Sequence, residues 1–303
     1  MIELSEKIIK ECNSLEDNYR NLNTFITPKY CPTWRLNEAM REILQNQNDE
    51  IIIRIGGKDE LIVETIGKEI EVYDKFSKSS KKIKLDCIFK KKNEKTIFGE
   101  LKNNKEKKEL IVSNIGNLES GDLLLGCKKG IEKKKEIIGR LGEGMKLAAL
   151  TFYTLNKKCL IKTNGNIWNF NIKIDKNFIK NNEFQECLFW KEEKDLSNNV
   201  SKGFVEIIIS EISPEEWLEQ IDNYLWLNQR EKGKIKAYTD NYSEIVEIML
   251  IKVFERKLYV KHSYVETTKN SSDLSIYFGF NLDIESDRDR KCVISNYERN
   301  QKN

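Results

Sequence analysis

The chain has 303 residues and a mass of 35.7 kDa, enough for one large domain or two linked ones with a real apolar core. Hydrophobic residues make up 39% and charged residues 33%, with 3 prolines and a mean hydropathy of −0.60, which excludes disorder throughout and implies a heavily solvated surface. The 52 basic residues against 49 acidic leave a net charge of +3, too balanced for nucleic-acid binding to be read from composition. Seven dispersed cysteines with no C-x-x-C pair speak against a zinc site or a disulfide framework. The N-terminal MIELSEKIIKECNS lacks the apolar centre of a signal peptide, and no apolar run reaches the ~20 residues of a membrane span. The expectation is a reduced, cytoplasmic protein with no membrane partner.

From Thr33 to Asp49 the apolar positions Leu36, Ala39, Met40, Ile43 and Leu44 recur at three and four, which predicts a helix. Short β-rich runs follow at 51–55, 61–66, 69–74, 84–89, 96–101 and 109–114, separated by Lys-rich turns. No helix-length crossover lies between them, so the sheet should be mainly antiparallel. Residues 115–138 contain four glycines and the basic run KKGIEKKK, which reads as a long loop. A helix is expected over 144–155, then strands at CLIKT, IWNFNIKI, ECLFW and VEIIIS. Ser213, Pro214 and Glu216 form a capping box with proline in the first turn, which predicts a helix through EEWLEQIDNYLW. The remainder suggests a helix near 243–254 and strands at KLYVKHSYV and LSIYFGF.

Three constellations carry candidate chemistry. Glu42, Asn46 and Asp49 lie four and then three apart, on one face of the first helix, with Ile43 and Leu44 turned to the core. A carboxylate one turn before an amide suits water activation beside an Mg²⁺ ligand, and the same spacing also describes a solvated face. Gly139, Gly142, Glu143, Gly144, Met145 and Lys146 belong to a glycine-rich turn opening into a helix. Free N–H groups and the positive dipole end favour phosphate there, although the motif is neither a P-loop nor a dinucleotide fingerprint. Asn114-Ile115-Gly116 ends a strand, where an amide beside a glycine can face a purine edge or form a simple turn.

In this order, E-x-x-x-N-x-x-D on a helix, a strand ending N-x-G, a basic loop and G-x-x-G-x-G-x-K into a helix resemble the GHKL ATPases. That superfamily includes gyrase, the MutL repair proteins, the ninety-kilodalton heat-shock chaperones and the sensor histidine kinases. The likeness spans roughly residues 25–292 and is nearest to a branch of phage and bacterial ATP-binding proteins, in which a Tyr and a Trp precede the helix, here Tyr30 and Trp34.

The resemblance implies an α+β fold: a two-layer sandwich of the Bergerat type over residues 1–230, with a mixed, mainly antiparallel sheet, and a small α+β extension over 231–303. It implies ATP and Mg²⁺ as cofactors. Glu42 would be the general base, Asn46 the Mg²⁺ ligand, and Asp49 a support on the same helix. Asn114 would read adenine and Gly116 give the base room, while Gly139, Gly142, Gly144 and Lys146 cradle the phosphates and Lys128 and Lys129 close over them. Arg288 and Arg290 either reach a γ-phosphate or form a solvated tail.

Three departures stand out: Asn114 replaces the family's usual Asp, Leu118 stands where many relatives have a further Gly, and Phe204 sits where the later strand would carry Thr. The lone His262 reads as structural, which leaves no phosphoacceptor for histidine-kinase chemistry. The implied function is Mg²⁺-dependent ATP binding with slow hydrolysis as a conformational switch, with ATP-dependent dimerisation by analogy. A non-hydrolysing scaffold that regulates a protein partner and a component of a DNA-processing system remain as alternatives.

Overall fold

A computed structural model describes residues 19–24, 26–74, 78–119, 144–180, 183–195, 203–221, 223–227, 234–239, 242–249, 257–260, 263–267 and 279–282. The chain divides into two compact units, Met1–Leu218 and Glu219–Asn303.

In the first unit, helix α1 spans Leu36–Ile55. Its start is set by Glu38, whose carboxylate accepts the Arg35 backbone N–H at 2.7 Å. Met40, Leu44, Ile51 and Ile55 are buried at helical spacing. The run at 51–55, expected as a strand, is the last turns of this helix. β-branched residues cost little helix propensity when their side chains are buried, and the stop comes at Gly56. That glycine adopts φ 93° and donates its N–H to Ile52 O at 3.1 Å, a left-handed C-cap.

The strands of this unit are β1 (Tyr19–Asn23), β2 (Leu61–Ile66), β3 (Ile70–Asp74), β4 (Ser79–Ile83), β5 (Asp86–Lys91), β6 (Ile97–Asn104), β7 (Glu109–Ile115), β8 (Cys159–Thr163), β9 (Asn166–Lys180), β10 (Glu183–Lys194) and β11 (Phe204–Ser210). Helix α2 covers Gly144–Thr154 and α3 covers Pro214–Ile221. Nine strands form one sheet in the order β1-β10-β9-β8-β11-β7-β6-β5-β2, with every neighbouring pair antiparallel, while β3 and β4 pair as a separate hairpin. The mainly antiparallel α+β class read from the strand spacing is therefore present. Strands β1 and β4 carry no alternating apolar pattern and were not legible in the sequence.

Register explains the core. Leu101, Val112, Ile207, Ile161 and Trp168 form one row across five strands, and all are buried. The alternate residues face the other way and carry ion pairs, Lys162 to Glu206 at 3.3 Å and Lys90 to Glu64 at 2.7 Å. Helix α1 lies over β6 and β7, and α2 over β8 and β9. Gln47 ties α1 to the sheet, its Nε2 donating to Glu100 O at 3.0 Å and Ser113 O at 2.8 Å.

The capping box of α3 forms as expected: Ser213 Oγ accepts the Glu216 N–H at 3.1 Å, and Glu216 Oε2 accepts the Ser213 N–H at 3.0 Å. The helix is shorter than expected, ending at Ile221. Asn223 and Tyr224 instead donate to carbonyls three residues back, which tightens the chain into turns. Trp217 is fully buried and donates Nε1–H to Leu85 O at 3.1 Å.

In the second unit, strands β12 (Lys234–Thr239), β13 (Tyr242–Met249), β14 (Lys257–Val260), β15 (Ser263–Thr267) and β16 (Gly279–Leu282) form a sheet in the order β12-β13-β16-β14-β15. Its β14–β16 pair is parallel. The helix expected near 243–254 is strand over Tyr242–Met249, because Ile248 pairs with Ile235 on one side and Phe280 on the other. Apolar residues at 245, 246, 248 and 249 fit both periods, and pairing decides between them.

The core thiols yield a stability prediction. Burial pushes Cys87 and Cys159 up to about 12, with Asp86 adding to the effect at Cys87. Above pH ~9 the unfolded chain releases thiol protons that the folded chain retains, so stability falls as pH rises toward 12, by up to about 1.4 kcal/mol per pH unit for each thiol. Urea midpoints measured between pH 8.5 and 11 should decline less steeply in Cys159→Ala than in the wild type.

Candidate functional site

The site candidates converge on α1. Glu42 is half-buried near the middle of the helix, and a Cβ placed on Gly144 would overlap its carboxylate, with Glu42 Cδ at 2.9 Å. The first residue of α2 therefore touches the proposed base, and any larger residue there would make the Glu42 carboxylate swing aside. Lys146, in the first turn of α2, is 3% exposed, and Met145 beside it is also buried. Asn46 is half-buried one turn after Glu42, and Asp49 is buried 3% exposed.

The other end of the site lies further along the same helix. Arg54 and Glu50 pair on α1, Nη2 to Oε1 at 2.7 Å. A Cβ on Gly116 would stand 3.5 Å from each of those two atoms and 3.1 Å from Asn114 Nδ2. The end of β7 thus abuts α1 at Glu50, eight residues beyond Glu42, which is about 12 Å along the axis at 1.5 Å per residue. A Cβ at 116 would make ordinary contact with Arg54 and Glu50 and crowd only the Asn114 amide. The Gly116 N–H donates to Gly203 O at 2.9 Å, which extends the β7–β11 pairing past Ile115.

Asn114 is 7% exposed and donates Nδ2–H to Ile115 O at 3.0 Å. A carbonyl only accepts, so this bond fixes the amide orientation and presents Oδ1 as the acceptor. In register with Asn114 are Gly99 on one side and Val205 on the other, and Val205 in turn faces Thr163. The register also locates Phe204. It pairs with Ile115, belongs to the alternate set of β11 and is 41% exposed, so the residue beside Asn114 is Val205. A one-residue step along a strand exchanges the faces.

Thr163 supplies a hydroxyl in the same row and was not singled out in the sequence. It is fully buried, accepts the Leu118 N–H at 2.9 Å and donates to Leu118 O at 3.3 Å, which pins the chain just after β7. The available signal was a hydroxyl at a buried register position of CLIKT, where Cys159 and Ile161 are its inward companions. Glu50, Arg54 and Gln47 were likewise missed, because only the helix-on-sheet packing separates them from solvated polar residues.

Lys128, Lys129, Gly139, Gly142, Glu143, Arg288, Arg290 and His262 lie outside the described residues. The thiols do not offer a nucleophile among the described residues: burial raises Cys31, Cys87, Cys159 and Cys187 above the ordinary thiol range, the opposite of what activation needs.

No family model matches the chain, and no curated protein matches it. Among solved structures, it is similar to the ATPase region of Saccharomyces cerevisiae topoisomerase II, at 11% identity and a TM-score of 0.25, over 67% of this chain and 68% of that one. No helix among the described residues is long and apolar enough to cross a membrane.

The described residues also hold no cluster of three His, Cys, Asp or Glu side chains that could cage a metal. The local donor set is a half-buried amide oxygen at Asn46 beside carboxylates at Glu42 and Asp49. Hard oxygen donors of this kind are the type that Mg²⁺ takes.

Proposed function

We propose that the first unit is an ATP-binding domain of the GHKL type, with the two-layer arrangement of that fold, which hydrolyses ATP slowly and uses it as a conformational switch. The observation that carries this reading is the layout along α1. Glu42 meets Gly144 at the opening of α2, and about 12 Å further on, Glu50 and Arg54 meet Gly116 beside Asn114. One end offers a carboxylate next to a helix N-terminus, and the other an oriented amide acceptor next to a glycine. A nucleoside triphosphate lying along the helix would place its phosphates at the first end and its base at the second.

Each end has a defined task. The backbone N–H groups at the start of α2 and the Lys146 side chain suit phosphate oxygens. Asn46 would hold Mg²⁺ with Asp49 in support, and the ion would neutralise charge on the phosphates. Glu42 would accept the proton of the attacking water. Asn114 Oδ1 would accept from the exocyclic amine of adenine, which explains how Asn serves where relatives carry Asp. A base with a carbonyl at that position would set acceptor against acceptor.

Calorimetric titration tests both ends. Mg-ATP is expected to bind the wild type, Mg-ITP about tenfold more weakly, since one lost buried hydrogen bond is worth about 1–3 kcal/mol. Gly144→Val should weaken binding of both at least about tenfold, because a branched side chain at the opening of α2 crowds the backbone N–H groups that phosphate would approach, besides displacing the Glu42 carboxylate. No binding at millimolar ATP would refute the nucleotide reading, and equal affinity for ATP and ITP would refute the role given to Asn114.

A further inference from the structure

Arg41 and Glu42 are consecutive on α1, and their side chains leave the helix about 100° apart, so they do not meet by default. Here they do: Arg41 Nε lies 3.8 Å from Glu42 Oε1, with each side chain 19% exposed. That distance is an ion pair without a hydrogen bond, and Arg41 Nε is buried with no hydrogen-bond partner among the described residues. The two Glu42 oxygens are thereby made different. Oε1 faces the guanidinium, while Oε2 faces Gly144 at the opening of α2.

We infer that Arg41 is a positioning residue for Glu42: it holds Oε1 so that Oε2 is the oxygen that takes the proton of the attacking water. This rests on the ATPase reading above. In the step it serves, the water oxygen bonds to the γ-phosphorus as the bond to the β–γ bridging oxygen breaks. ADP leaves with the electron pair, and the water proton passes to Oε2. Arg41 touches neither water nor phosphate; it acts through the orientation of the carboxylate.

The experiment measures Mg-ATP affinity by calorimetry and phosphate release under saturating ATP for the wild type, Arg41→Ala, Arg41→Lys, Glu42→Gln and the double variant Arg41→Ala/Glu42→Gln. Arg41→Ala is expected to lower kcat ~10-fold, about 1.4 kcal/mol in the barrier, with Kd within about twofold. Arg41→Lys should recover at least half of the loss, since an ion pair of this length needs a charge rather than a fork. Adding Arg41→Ala to Glu42→Gln should change kcat little, because the charge it acts on is already gone.

An unchanged kcat in Arg41→Ala, alongside a large loss in Glu42→Gln, would overturn the inference and leave the ATPase reading standing. A kcat loss matched by an equal loss of affinity and not recovered by Lys would also overturn it, marking Arg41 as a folding or phosphate contact. Absence of turnover in the wild type would overturn the ATPase reading and this inference together.

Discussion

Glu42→Ala is expected to lower steady-state ATP turnover by ~10²–10⁴-fold, while Mg-ATP should still bind within about threefold of the wild type. The split follows from geometry. Glu42 is half-buried on α1, and its carboxylate sits against Gly144 rather than inside the apolar row that α1 presents to β6 and β7. Truncation therefore removes a proton acceptor without removing a packing contact to the sheet. It also removes a negative charge from the place where phosphates would lie, so affinity need not fall and a modest gain is compatible with the same role. Phosphate release paired with calorimetry decides it. Loss of binding together with turnover would show that Glu42 shapes the site rather than acting in it. Full turnover in the variant would remove it from the chemistry altogether.

Gly99→Val is expected to destabilise the first unit by about 3 kcal/mol, and Gly99→Ala by about 1–2 kcal/mol, without touching any group assigned to nucleotide. A Cβ at Gly99 would stand 2.5 Å from Ile51 Cδ1, 2.9 Å from Ser113 O and 3.4 Å from Gln47 Nε2. The isoleucine tip can turn aside, but the Ser113 carbonyl is part of β7 and cannot. Gln47 uses that same carbonyl to anchor α1. Pushing the helix off the sheet thus strains a backbone acceptor and weakens a buried side-chain hydrogen bond together. For a unit of this size the Val variant should lower Tm by about 6–12 °C. A Tm within about 1 °C of wild type would mean that α1 does not lie as close to β6 as described.

Gly99 also shows where sequence reading stops. In TIFGEL it is one glycine inside a strand pattern, and nothing local says that a helix 48 positions earlier passes over it. The same holds for Glu50 and Arg54, an i,i+4 pair that reads as ordinary surface charge until Gly116 is brought against it. Thr163 is a β-former like any other until its hydroxyl is found holding Leu118. Phe204 shows the same limit: the strand was legible, but only the register shows that Phe204 pairs with Ile115 and that Val205 stands beside Asn114.

Local signals served well where the physics is local. Periodicity marked α1, the glycine-rich turn marked the opening of α2, the Ser213–Glu216 box marked the start of α3, and β-rich runs marked β5, β7, β8 and β11. It failed at 51–55 and 243–254, where β-branched and apolar residues suit either period and the outcome depends on what packs or pairs from afar. The order of strand spacings was enough for a mainly antiparallel α+β class, because short Lys-rich turns admit no crossover helix.

For this protein the amino-acid sequence by itself determined most of the helices and strands, the Ser213–Glu216 cap, and a set of polar residues whose types and order suit nucleotide chemistry. Tertiary structure alone decided which of them meet. Glu42 touches Gly144 across a gap of 102 residues, and Asn114 stands beside Gly116, Glu50 and Arg54 only because α1 lies along β7. Contacts of that kind depend on helix-on-sheet approach and strand register, which arise from the summed burial of the apolar rows and leave no local trace at the polar residues they bring together.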